Sequence, residues 1–147
     1  MKLINIKFAT FLICLFMVSS SYAAIQWQTD YPKSLQQAKA ESKPVLLFFT
    51  GSDWCGWCKK LDKEVFQTNE FESAMGDKLV YVELDYPLSS NQDTKTKQQN
   101  EQLKNKHNIK GYPTVILIDA NEKVLGQTGY KAGGGKKYAD HLSQMIR

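Results

Sequence analysis

The chain has 147 residues, 19 Lys and Arg against 15 Asp and Glu, a formal charge of +4, and 42% apolar residues. That balance excludes a strongly basic nucleic-acid binder and gives no electrostatic case for an anionic membrane surface. Three cysteines are too few to staple a fold, so the chain must depend on a hydrophobic core.

Residues 1–23 read as a cleaved signal peptide rather than as part of the fold. Lys2 and Lys7 form a positive start and residues 8–18 an apolar run, while Ser21 and Ala23 are the small residues a signal peptidase requires. The cut is expected before Ala24, with the bond between Ala24 and Ile25 as the second choice. The apolar run falls short of the roughly 20 residues that span a bilayer. Cys14 lies inside this leader behind Ile13, which is not the small residue of a lipidation site. The expected product is an exported, periplasmic chain of residues 24–147. With Lys2 and Lys7 gone, 17 of the 19 basic residues remain, and Cys55 and Cys58 are the only cysteines left.

Residues 24–147 alternate strand and helix signals, the rhythm of a single α/β domain. Residues 25–28 suit a short edge strand. A helix over 31–42 opens on Asp30 as N-cap with Pro32 in its first turn, and Leu35, Ala38 and Tyr31 form its inward stripe. Lys43-Pro44 stops it, and the continuous apolar run 45–49 has the character of a central strand. From Cys55 the period becomes helical: Cys58, Leu61 and Val65 share one face, with Lys59, Lys60 and Lys63 opposite.

Asn69-x-x-Glu72 predicts a capping box for a short helix ended by Gly76. A strand over 79–86 follows, then a polar surface loop over 87–97, and a helix over 96–107 anchored by Leu103. Residues 115–118 make a buried strand, 119–122 a hairpin turn and 124–128 its partner. Gly133-Gly134-Gly135 reads as a flexible break before a closing helix over 136–146, with Tyr138, Leu142, Met145 and Ile146 inward.

Cys55-Gly56-Trp57-Cys58, set between an apolar strand and an amphipathic helix, carries the chemistry. Two thiols at this spacing can exchange for one disulfide, can supply half of a zinc site, or can form a static crosslink. Zinc needs four ligands, and the remaining candidates, His107 and His141, show no ligand spacing. A crosslink closing so short a loop constrains the unfolded chain by only about 2 kcal/mol.

The element order, with Trp54-Cys55-Gly56-Trp57-Cys58-Lys59 followed by Gly111-Tyr112-Pro113-Thr114, resembles the thioredoxin superfamily over nearly all of residues 24–147. The stretches 43–49 and 61–66 are similar to exported thioredoxin-like reductases and to the C-terminal domain of the membrane electron-transfer protein DsbD. The resemblance implies a thioredoxin-like α/β fold: a central mixed sheet flanked by helices, with a longer loop and helix inserted before Gly111. It implies a disulfide reductase that uses the Cys55–Cys58 couple and no other cofactor. Pro113 resembles the cis-proline that faces the active cysteines, with Tyr112 offering main-chain hydrogen bonds to an extended substrate.

Chemistry assigns the roles within that frame. Cys55, at a helix start, is expected to be the exposed nucleophile, because unpaired amide groups and the helix dipole favour its thiolate. Cys58, one turn in, is the shielded resolving thiol. Asp62, four residues on, lies on the same face and can take the proton Cys58 must lose. The family often places an acid in the preceding strand, where this chain has Phe48 or Phe49, so Asp62, Glu64 or water must serve; a solvated helix-face charge is the alternative for Asp62. Trp54 and Trp57 form an aromatic docking rim, with simple packing as the alternative, chiefly for Trp54. Lys95, Lys97, Lys104, Lys106 and Lys110 read as a solvated face.

Gly56-Trp57 adds no charge beside Cys55, which favours a reducing couple over an oxidising one. No nicotinamide or flavin motif is present, so the expected partners are exported proteins with disulfides and a membrane electron donor of the DsbD type, with the chain a monomer. A disulfide oxidase or isomerase, and a binding module without turnover, are the competing readings.

Overall fold

A computed structural model describes residues 24–89 and 91–147. The expected signal peptide, its cleavage site and Cys14 lie outside the described residues, except for Ala24 and Ile25. Five strands form one mixed sheet: β1 (Trp27–Gln28), β2 (Val45–Thr50), β3 (Val80–Asp85), β4 (Thr114–Ile118) and β5 (Val124–Thr128), in the order β1-β3-β2-β4-β5. β1 and β2 run parallel to β3, whereas β4 is antiparallel to β2 and β5. The run 45–49 is indeed the middle strand, and all six residues of β2 are buried.

Strand alternation splits the core into two layers. Leu46, Phe48, Tyr81, Val115 and Leu117 face one side, under α2 (Gly56–Leu61), α3 (Asn69–Met75) and α5 (Gly134–Met145). Val45, Leu47, Phe49, Val82, Leu84, Ile116 and Ile118 face the other, under α1 (Tyr31–Glu41) and α4 (Thr94–Lys106). Burying each such Leu, Ile, Val or Phe contributes about 1.5–3 kcal/mol. Trp27, Phe48, Phe66, Phe71, Tyr81 and Tyr138 join in edge-on and tilted pairs with centroids 5.2–6.5 Å apart, binding β1, β2, β3, α3 and α5 into the first layer.

Several local expectations are corrected. β1 is only Trp27–Gln28, and in α1 the buried residues are Tyr31, Ser34 and Ala38, with Leu35 only partly buried. Ser34 is tolerated inside because its hydroxyl donates to Asp30 O at 2.8 Å and has Gln28 Oε1 as a second acceptor at 3.0 Å for the same proton. The N-cap of α3 is Thr68, not Asn69, with Thr68 Oγ1 accepting from Phe71 N at 3.3 Å. α4 starts at Thr94, inside the predicted loop, because Asp93 caps it through Thr96 N at 3.0 Å.

Gly133-Gly134-Gly135 is not a loose break. Gly133 caps α5, and Gly133 and Gly134 have φ values of 124° and 77°, where a side chain is strained. Gly135 is buried against α3, where a Cβ would meet Phe71 N at 2.9 Å.

Cys58, Leu61 and Val65 are all buried in one core layer, as their spacing predicts, but the segment after α2 is not regular α-helix. Asp62–Phe66 form a π-turn, closed by Gln67 N donating to Asp62 O at 2.9 Å. The wider turn lets Val65 and Phe66, adjacent in sequence, both face the core.

Candidate active site

β2 delivers the chain to the site at its C-terminal end. Trp54 N and Cys55 N both donate to Gly51 O, at 3.3 and 2.8 Å, folding residues 51–55 into a tight turn. A Cβ on Gly51 would sit within 3 Å of the Trp54 indole, so the turn requires glycine. Cys55 is extended (φ −84°, ψ 99°) and is itself the N-cap of α2, its Sγ accepting from Cys58 N at 3.2 Å. A thiolate on that sulfur would keep the bond and gain the unpaired amides of the first turn, the two effects that lower a thiol pKa.

Cys55 and Cys58 form a disulfide with an S–S distance of 2.08 Å and Cα atoms 5.2 Å apart. The expectation of an exposed Cys55 is corrected: it is 5% exposed and Cys58 1%, because the first turn of α2 packs into the first core layer. The surface around the sulfurs is aromatic instead, with Trp54 44% and Trp57 58% exposed. Trp54 is both rim and packed residue: its Nε1 donates to Tyr86 O at 2.8 Å, and its ring stands edge-on to Tyr112 at 5.5 Å. Trp57 leans on Tyr130, with centroids 5.1 Å apart.

The Tyr112–Pro113 peptide bond is cis. Thr114 pairs with Phe49 in the β2–β4 register, so Tyr112 and Pro113 sit at the end of the sheet where β2 runs into the Cys55 turn. Thr114 Oγ1 donates to Gly111 O at 2.8 Å and closes that approach.

Asp62 N–H bonds to Cys58 O, so Asp62 does follow Cys58 by one regular turn. Its carboxyl is half-buried and accepts from Gln67 Nε2 at 2.5 Å. Burial raises its pKa above 3.8, only partly offset by the Gln67 bond. This is neither a free solvated charge nor a sealed one. Glu64 is differently placed: Lys60 at 2.7 Å and the Tyr130 hydroxyl hold its carboxyl below the usual range, so it is the poorer base. Glu83 pairs in register with Phe48, and its carboxyl is raised first by burial, then by the charges of Asp85 and Asp62.

A second set of contacts ties the Cys55 turn to the loop after β3. The Asp53 carboxylate accepts from Leu88 N, Ser89 N and Ser89 Oγ at 3.1, 2.7 and 2.6 Å. In return, Asp85 accepts from Ser52 N and Ser52 Oγ at 2.8 and 2.6 Å. Sequence reasoning missed Asp53, Asp85, Tyr86, Leu88 and Tyr130, since all act through contacts 32 or more residues away. Their only local signal is short polar residues in two loops, which any turn shares.

The two histidines lie apart. His107 caps the end of α4, and His141 on α5 lies 3.0 Å from Thr128 Oγ1. Among the described residues no helix is long and apolar enough to cross a membrane.

Residues 31–145 match the family model described as a thioredoxin-like domain. The chain is 37% identical over 125 residues to the disulfide bond reductase DsbH of Chlamydia pneumoniae, a match covering 85% of this chain and 75% of that protein. A solved DsbH oxidoreductase structure superposes with a TM-score of 0.80 at 37% identity, over 84% of this chain and 85% of that one. The oxidised C-terminal domain of DsbD from Neisseria meningitidis superposes with a TM-score of 0.54 at 20% identity, over 82% and 98% of the two chains; that likeness concerns the fold alone.

Proposed function

The chain belongs to the thioredoxin-like family, and on that premise we propose that it is a periplasmic disulfide reductase working through the Cys55–Cys58 couple. The observation that carries this reading is the N-cap: the one sulfur acceptor at the start of α2 belongs to Cys55, and Cys58 is bonded to it. The 37% identity to a protein named a disulfide bond reductase supports the direction, as does the absence of charge in Gly56-Trp57.

In the reduced protein, the Cys55 thiolate attacks one sulfur of a substrate disulfide, and the other substrate sulfur leaves as a thiolate. Asp62 takes the Cys58 proton as Cys58 Sγ attacks Cys55 Sγ, closing the internal disulfide and releasing the second substrate thiolate. Two electrons pass to the substrate and the couple ends oxidised. Trp54 and Trp57 form the docking rim, while Tyr112 and Pro113 hold the substrate backbone. Residues 1–23 direct export, and a membrane protein of the DsbD type restores the dithiol.

Equilibration of the couple with glutathione, alongside a protein-disulfide reduction assay, tests the reading. A reductase gives a potential nearer about −270 mV than about −120 mV, together with turnover. A potential at the oxidising end, or a pair isolated fully oxidised from cells, transfers the case to an oxidase or isomerase. Cys55→Ser that retains the cellular phenotype leaves a binding module.

A further inference from the structure

An open groove of about 400 Å³ lies between Trp54, the residue before Cys55, Tyr112, the residue before the cis-proline, the loop after β3 and α4. Its apolar surfaces are Trp54, Tyr86, Leu88 and Tyr112, and its α4 wall carries Lys97 and Lys104. Leu88 is 79% exposed, more than any other large apolar residue among those described. This is not a slack loop. Asp53 grips the amide groups of Leu88 and Ser89, and Trp54 is fixed by Tyr86 O, so the two apolar walls are held apart before anything binds.

The lysines differ from the rest of the cationic face. Lys95 reaches Asp30 at 3.8 Å and Lys106 pairs with Glu122 at 2.6 Å, but no ion pair among the described residues involves Lys97 or Lys104. Lys104 Nζ instead lies 5.4 Å from the Tyr86 ring centroid. Glu101 shares the wall, leaving it one positive charge in excess. Exposed apolar walls with a cationic rim suit a ligand having an apolar side chain and a carboxylate close together.

We propose that this groove receives the polypeptide segment flanking the substrate's disulfide cysteine, seating an apolar side chain between Leu88 and Trp54 and a carboxylate on Lys97 and Lys104. The inference rests on the reductase reading and adds selectivity to it: extended segments that are apolar and acidic beside the cysteine are preferred over basic ones.

Peptides whose cysteine is flanked on both sides by Phe and Asp, by Phe and Lys, or by Gly and Asp test it, each presented as a mixed disulfide with a chromophoric thiol. The Phe-Asp peptide is expected to give kcat/KM about tenfold above the Phe-Lys peptide, a gap equal to about 1.4 kcal/mol and carried by KM. Lys97→Glu with Lys104→Glu inverts that order, and Leu88→Ser removes the advantage of Phe over Gly. Calorimetric titration of the oxidised protein with the same peptides, serine replacing cysteine, reads the groove without turnover and should rank them alike. An order that the double charge reversal leaves within twofold, in both measurements, overturns the proposal. Failure of the wild type to reduce neutral bis(2-hydroxyethyl) disulfide overturns the reductase reading instead, and the calorimetric ranking still decides the groove.

Discussion

Gln67 Nε2 donates to Asp62 Oδ2 at 2.5 Å across the π-turn, the same turn that Gln67 N closes on Asp62 O. In a regular α-helix the side chain five residues on points to another face; the extra residue in the turn brings it back. The result is a half-buried carboxyl, one helical turn from Cys58, held in place by a neutral donor. A neutral donor fixes the geometry without cancelling the rise in pKa that the proposed proton transfer to Asp62 calls for.

Asp62→Asn separates stability from chemistry. Folding raises this carboxyl above 3.8, so the wild type loses stability as pH rises from that value through the folded pKa, and Asn does not. The variant should be the more stable of the two at neutral pH by chemical denaturation, with the difference closing below pH 3.8. Its release of substrate from a mixed disulfide with Cys55 should slow by about 100-fold, the lower end of general-base losses. An unchanged pH profile for that release sinks the proton-transfer role.

Cys58→Ser should still be attacked by substrate disulfides through Cys55 but cannot resolve the product. Incubated with a protein disulfide, it is expected to accumulate a covalent adduct visible by non-reducing electrophoresis, whereas Cys55→Ser gives none. Adducts formed at Cys58 in the Cys55→Ser protein would reverse the two assignments.

The clamp between Asp53 and the Leu88–Ser89 backbone has a pH signature. Hydrogen bonds from Ser89, and then from Leu88, hold the Asp53 carboxyl down at about 2, against 3.8 when free. Its contribution is fully present above 3.8 and is lost as pH falls through about 2. The amide resonances of Leu88 and Ser89 should therefore titrate with a midpoint near 2. In Asp53→Ala those amides should exchange faster with solvent while the core amides keep their protection.

His107 gives the opposite end of the pH scale. Its Nε2 is buried without a hydrogen-bond partner, and its ring stands edge-on to Phe49 at 6.0 Å. Burial lowers its pKa below 6.5, helped by Lys106 and opposed by Glu122. The unfolded chain then binds the proton more readily, so His107 favours folding above pH 6.5 and progressively less as pH falls below it. Replacement by Gln should flatten the fall in stability between pH 7.5 and 5 relative to wild type in urea denaturation. Parallel curves would show that His107 is not the group responsible.

Gly135→Ala tests the contact between α3 and α5. The added methyl would meet the Phe71 backbone and the Thr68 hydroxyl, and backbone cannot move aside as a flexible side chain can. Overpacking of this kind costs about 1–3 kcal/mol, which thermal or chemical denaturation resolves. Gly56→Ala is the matched control, since a Cβ there meets nothing within 4 Å.

The sequence by itself determined the strand–helix order, the central place of 45–49, the role of Asp30 as a cap and the pairing of Cys55 with a helix start. Each depends on short-range periodicity or on neighbours within one turn, where a single chain carries the full signal. It placed Cys55, Cys58, Tyr112 and Pro113 at one site only through the order of two motifs. Tertiary structure supplied the rest: the π-turn that lets Val65 and Phe66 both face inward, the seating of Gly135 on Phe71, and the near-complete burial of Cys55. It also decided that Glu64 is paired with Lys60 while Asp62 is half-buried against Gln67, and that Asp53 holds the Leu88 backbone. These outcomes follow from packing and from hydrogen bonds between residues distant in sequence, and no local pattern encodes which loop a given carboxylate will meet.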